Sequence, residues 1–87
     1  MVSVEKVDDT TFKVTVEGKS TTTHTVNLDP AYYQKLTGGK VTEEMLIEKS
    51  FEFLLERESN NSILSQFDLP VINRYFPEYE NEMKKKL

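Results

Sequence analysis

One histidine, two arginines and a ladder of glutamates are the residues of this chain whose types and spacing could do chemistry. His24 is the only imidazole. On an inward-facing strand position such a ring can act as a general base or ligate a metal. Either role needs companions, and His24 has none in the sequence. No second histidine, no cysteine and no paired carboxylate stands at ligand spacing, and no serine or cysteine elbow accompanies it. A partly buried histidine, hydrogen-bonded at the edge of a sheet, is the plainer expectation. The arginines are more telling, because nine of the eleven basic residues are lysine. A planar fork of donors suits bidentate geometry that a lysine ammonium cannot supply. Arg57 and Arg74 flank the segment "ESNNSILSQFDLPVIN", with Glu56, Glu58 and Asp68 close by as partners. An ion pair fastening the last helices to the main one is expected. A pocket for an anion or carboxylate, or a small enzyme site combining His24 with Arg57 or Arg74, is the alternative.

Glu44, Glu48, Glu52 and Glu56 recur every four residues, an acidic ridge on one helix face. Such a ridge either attracts a basic partner or is simply solvated. "LTGGK" (Leu36 to Lys40) has the look of a phosphate loop. It lacks the earlier glycine of that pattern, has no Ser or Thr after Lys40, and joins two helical segments instead of following a strand. The net charge of −4 disfavours nucleic acid, since phosphate repels an acidic surface. Lys84 to Lys86 run the other way, but lysines at a helix end complement the helix dipole. No cofactor motif is present, and none is expected. There is no apolar run of eighteen residues to cross a bilayer. The opening "MVSVEKVDD" has no signal-peptide core, and the absence of cysteine excludes a disulfide framework, so a cytoplasmic protein is expected.

Positioning these residues falls to elements that change character near Asp29. Before it, "TTFKVTVEGKSTTTHTV" alternates as a β-hairpin. Phe12, Val14 and Val16 share one face, and in the second strand Thr22, His24, Val26 and Leu28 share one. Only an odd-length loop brings these two sets to the same side. Val16-Glu17-Gly18 is the expected loop, with Gly18 left-handed. Thr11, Thr15, Thr21, Thr23 and Thr25 then form a flat outer face. "VSVEKV" adds a third strand through a turn at Asp8-Asp9.

After Asp29 the pattern turns helical. Asp29 and Pro30 begin a short helix that Gly38-Gly39 ends. Thr42 caps the main helix, whose stripe of Ile47, Phe51, Leu54 and Leu55 faces the sheet. "ESNNS" breaks it. Asp68 is expected to cap a helix from Leu69 to about Tyr75, and Pro77 to open a last one carrying Glu80–Lys84 and Glu82–Lys86 pairs. Ile72, Tyr75, Phe76, Tyr79 and Met83 recur at helical spacing and are expected to cover the core. The order predicts a single α+β domain over residues 1–87, a three-stranded antiparallel meander with three to four helices on one face. An unpaired edge strand leaves both a monomer and a homodimer open.

The run "SFEFLLERESNNSILSQFDLPVINRYFPEYE" (Ser50 to Glu80) resembles a family of uncharacterised short bacterial proteins of about this length. They share the Thr-rich hairpin and the "YYQKLTGG" element, and the likeness is most specific at "LLERE", "SIL", "FDL" and "RYFPEYE". The resemblance implies a small cytoplasmic α+β protein and brings no activity or catalytic residue with it. A non-catalytic module that interacts with another protein or a ligand is the function most in keeping with these features.

Overall fold

The computed structural model describes residues 1–87, an α+β chain in which three of the four strands precede all the helices. Strands β1 (Val2–Lys6), β2 (Thr11–Glu17) and β3 (Thr21–Asn27) form an antiparallel meander. A fourth strand, β4 (Gln66–Asp68), lies beside β3 and runs parallel to it, so the sheet is mixed, in the order β1-β2-β3-β4. Helices α1 (Pro30–Thr37) and α2 (Glu43–Leu55) separate β3 from β4, and α3 (Val71–Tyr75) and α4 (Tyr79–Lys86) follow. Parallel pairing requires a crossover of a dozen or more residues. The stretch holding α1 and α2 is that crossover.

The hairpin parity is as expected, and the register is not. Glu17 pairs with Thr21, which makes Gly18-Lys19-Ser20 the three-residue loop. Gly18 keeps a negative φ, and only Gly38 and Gly39 enter the left-handed region. The pairing of Phe12 with Val26 and of Val14 with His24 accounts for the shift, since it sets large inward residues opposite one another. Phe12, Val14, Val16, His24, Val26 and Leu28 are all buried. Thr21 and Thr23, on the other face, are exposed. The turn between β1 and β2 is held by Asp8, whose carboxylate accepts from the amides of Thr10 (3.0 Å) and Thr11 (2.8 Å). These donors, Thr10 first, keep its carboxyl below the usual carboxylate range.

Helices α1 and α2 start where the capping residues stand. The Asp29 side chain accepts from the amide of Ala31 (2.7 Å), with Pro30 in the first turn, and the Thr42 hydroxyl accepts from the amide of Met45 (3.0 Å). Gly38, at φ 62°, ends α1 in a conformation that costs glycine nothing. Leu46, Ile47, Phe51, Phe53 and Leu54 bury the inner face of α2 in one core cluster of 17 residues.

The C-terminal third departs from expectation in four places. Asp68 does not cap a helix but ends β4, and α3 starts later, at Val71 after Pro70. The pairing with β3 extends to Asp68, opposite Asn27, and the turn into α3 opens at Leu69. The Leu69 amide donates to the Asn27 carbonyl (2.9 Å). Pro77 lies in a turn, and α4 begins at Tyr79. Tyr75, assigned by spacing to the core, is 66% exposed. Finally, Glu80 reaches Lys35 (3.5 Å) and Tyr32 (2.9 Å) on α1, and Lys86 reaches Glu56 (3.8 Å) at the end of α2, in place of pairs within α4. Long-range partners fix the packing of α4, which contacts within a single helix cannot do.

Candidate functional site

His24 sits on β3 with 2% of its surface exposed, its ring 5.4 Å from that of Phe51. Nδ1 lies 2.7 Å from the carbonyl oxygen of Leu64, which can only accept, so Nδ1 carries the proton. With Nδ1 protonated in the neutral ring, Nε2 accepts from the Thr22 hydroxyl at 2.9 Å. That hydroxyl oxygen in turn accepts from Nδ2 of Asn60 (3.0 Å), which also donates to the Ser20 carbonyl (3.0 Å). Every polar atom in this series of bonds has a partner. His24 therefore fastens β3 to the segment after α2, and above all to the backbone of Leu64.

Arg57, just past the end of α2, is likewise an anchor. Its guanidinium carbon stands 3.6 Å from the centroid of the Phe53 ring. Nε donates to Glu78 (3.1 Å), and one terminal nitrogen donates to Glu56 (3.3 Å) and to the Phe53 carbonyl (3.1 Å). The pair with Glu56 is the expected one, and Glu78 is an additional partner that only the turn before α4 brings within reach. Glu78 is held below the usual carboxylate range, first by its own backbone amide and then by Arg57. Arg74 is exposed on α3 and takes part in no ion pair. No hydrogen bond joins His24 to either arginine.

What the structure does bring together is apolar. A cavity of about 240 Å³ opens between the end of α2, the segment after it, β4 and α3. Leu54 and Glu58 form one wall, Ser62, Ile63 and Leu64 the next, and Phe67 the floor. Val71, Ile72, Tyr75 and Phe76 close the far side. Leu64 is 46% exposed and Tyr75 is 66% exposed, both large apolar surfaces at one opening. Leu64 and Tyr75 are the residues that sequence reasoning missed. Tyr75 fits the core stripe by spacing, and Leu64 follows a buried Ile63 in a segment too short to show a period.

No protein-family model, curated protein or solved structure matches this chain. The cavity must be interpreted from its own chemistry. Eight of its ten lining residues are hydrophobic. Glu58 is its one ionisable carboxylate, and no basic side chain of the protein pairs with it. Clefts that enclose small-molecule ligands usually span about 300–1,000 Å³ and converge several polar groups on the ligand. This one is smaller, and its polar side-chain groups are the Glu58 carboxylate and the Ser62 and Tyr75 hydroxyls. No group of three or more His, Asp or Glu side chains is placed to hold a metal ion.

Other polar clusters stabilise the fold. Tyr79 is fully buried and its hydroxyl lies 2.6 Å from that of Ser50, which donates to the Leu46 carbonyl (2.7 Å). Since Ser50 spends its proton on Leu46, Tyr79 is the donor to Ser50. Burial pushes the Tyr79 phenol well above the ordinary tyrosine value, with Ser50 opposing and Glu80 adding to the shift. Tyr33 donates to the Val41 carbonyl, closing the loop between α1 and α2.

Proposed function

We propose that this protein is a non-catalytic interaction module that receives an apolar side chain of a partner protein in the groove between α2, β4 and α3. The observation that carries this reading is the pair Leu64 and Tyr75, large apolar residues left exposed at the mouth of an apolar cavity. Single exposed hydrophobics are ordinary on any surface. Two of them rimming one concave apolar site are the arrangement expected of a docking surface. His24 and Arg57 are positioning residues in this scheme: the first holds the backbone of Leu64, and the second anchors the turn next to Glu58. The kinship with short bacterial proteins, and the cytoplasmic setting that goes with it, belong to the same proposal. The ligand-pocket alternative draws little support from a histidine whose two ring nitrogens are both engaged inside the fold.

The test compares what four forms of the protein retain from a lysate of the host cell. Leu64→Glu and Tyr75→Ala alter the groove, and Thr23→Ala alters the exposed sheet face as a control. All three positions are exposed, so each variant should melt within about 0.5 kcal/mol of the wild type. Polypeptides retained by wild type and Thr23→Ala but lost by both groove variants are the expected result. Equal retention by all four removes the groove from consideration.

A further inference from the structure

We infer that the segment docking in the groove binds in extended form, as a fifth strand added to the open edge of β4. This inference rests on the groove reading and specifies the occupant: a short stretch of partner chain with an apolar anchor and a basic neighbour.

The Thr25 amide donates to the Ser65 carbonyl (2.8 Å) and the Leu69 amide donates to the Asn27 carbonyl (2.9 Å). Alternation along a strand then turns Ser65, Phe67 and Leu69 toward β3, and the N–H and C=O groups of Gln66 and Asp68 away from it. β4 is the last strand of the sheet, and no group of the chain bonds to these two donors and two acceptors. Sheet edges are usually blunted by a bulge, a lysine or an overlying element. β4 carries no lysine, and only its brevity and Pro70 limit it.

The cavity lies where such a strand would need it. Phe67 is buried toward the helices and lines the groove, yet no residue of β1, β2 or β3 does. The groove thus extends outward from β4 and not back across the sheet. A residue paired opposite Phe67, in either strand direction, projects its side chain to the same face as Phe67. That side chain enters the cavity between Leu64 and Tyr75. Its two neighbours in the added strand stand opposite Gln66 and Asp68, on the polar outer face. Asp68 and the groove carboxylate Glu58 have no basic partner in the protein. A lysine or arginine next to the anchor answers Asp68, as opposite charges across a sheet do. Backbone bonds would supply affinity and the cavity would supply selectivity, the division of labour in strand-addition complexes generally.

A random peptide display library, selected on the full chain, tests this. Peptides with an apolar residue beside Lys or Arg should be enriched. A synthetic peptide of the enriched sequence should slow hydrogen exchange at the Gln66 and Asp68 amides at least tenfold. Asp68→Pro removes an outward N–H without touching the bonds to β3, and should weaken that peptide at least tenfold. Asp68→Asn keeps the donor and should weaken it less. Loss of binding in Tyr75→Ala together with unchanged binding in Asp68→Pro would overturn strand addition while leaving the groove standing. Binding indifferent to both would overturn the two readings together. Should Asp68→Pro fail to fold, unprotected Gln66 and Asp68 amides in the wild-type complex overturn the inference equally well. A wild-type dimer in light scattering, with those amides protected before any peptide is added, would overturn it too, because a second copy would then occupy the edge.

Discussion

The buried hydroxyl pair of Ser50 and Tyr79 allows a sharp test of how α4 is held to α2. Tyr79 donates to Ser50 and Ser50 donates to Leu46, at 2.6 and 2.7 Å. Tyr79→Phe removes the first bond but leaves the serine proton satisfied, a loss of about 0.5–1.5 kcal/mol. Ser50→Ala strands the tyrosine hydroxyl at a position with no solvent exposure. An unsatisfied buried donor costs about 1–3 kcal/mol, offset by roughly 0.5 kcal/mol from the better helix propensity of alanine. In the double variant neither hydroxyl remains to be stranded, so the combined cost should fall short of the sum by at least about 1 kcal/mol. Urea denaturation followed by circular dichroism reads this directly. With m near about 1 kcal/mol/M for a small domain, that coupling is a midpoint difference of about 1 M. Costs that add within about 0.5 kcal/mol would refute the shared bond and the donor assignment derived from it.

Tyr79 is raised in the folded state, so its contribution is fully present below the ordinary tyrosine value near 10 and is lost as pH rises above it. Stability should fall above about pH 10 by up to about 1.4 kcal/mol per pH unit for this group, and Tyr79→Phe should make the fall shallower in pH-dependent urea titrations. Arg57→Lys should cost about 1–2 kcal/mol, because a lysine cannot stack flat on Phe53 while bonding Glu78, whereas Arg74→Lys should stay within about 0.5 kcal/mol in the same melts. His24 should show the Nδ1-protonated tautomer in nitrogen–proton correlation spectra, and His24→Phe should cost about 1–3 kcal/mol by leaving the Leu64 carbonyl and the Thr22 hydroxyl short of a partner. Truncation after Ser65 removes the buried Phe67, Leu69, Ile72, Tyr79 and Met83, and should abolish the cooperative melt and the dispersed amide spectrum.

Local signals carried the sequence reading where one residue type has one strong preference. Asp29-Pro30, Gly38-Gly39 and Thr42 mark helix ends through hydrogen-bonding and φ requirements that hardly depend on tertiary context. The parity of the hairpin was legible because a slip by one residue would put Phe12 and Val14 in water. The shift of pairing was not, since any displacement by an even number keeps the same faces. β4 was hidden for a different reason. Three residues, Gln66 to Asp68, are too few to display a period, and their pairing depends on β3 lying about forty residues earlier in the chain. Aspartate two residues before a proline also has the composition of a helix cap, and here its backbone pairs with Asn27 of β3 as the end of a strand. As for the site, His24 and Arg57 were legible as unusual residues but not as anchors, because their partners, Leu64 and Glu78, come from distant turns.

The stretch from Phe67 to Glu80 supplies both core residues and one side of the groove, and the proline at 77 explains how. Phe76 precedes it and takes φ −132° and ψ 88°, a non-helical conformation that ends α3 after Tyr75. In an unbroken helix Glu78 and Tyr79 would stand three and four residues beyond Tyr75, on the same flank, and would cover its ring. The break sends them elsewhere. Tyr79 turns inward to Ser50 and Glu78 turns back to Arg57, so both stabilise the packing of α4 against α2. Ile72 remains in the core, while Tyr75 loses the neighbours that would have shielded it. Its exposure at the groove is therefore a consequence of how the last helix is redirected. Replacing Pro77 would be expected to change the groove and the core at once, which is why the two functions of this segment cannot be separated by altering the turn and must be tested at Tyr75 and Tyr79 individually.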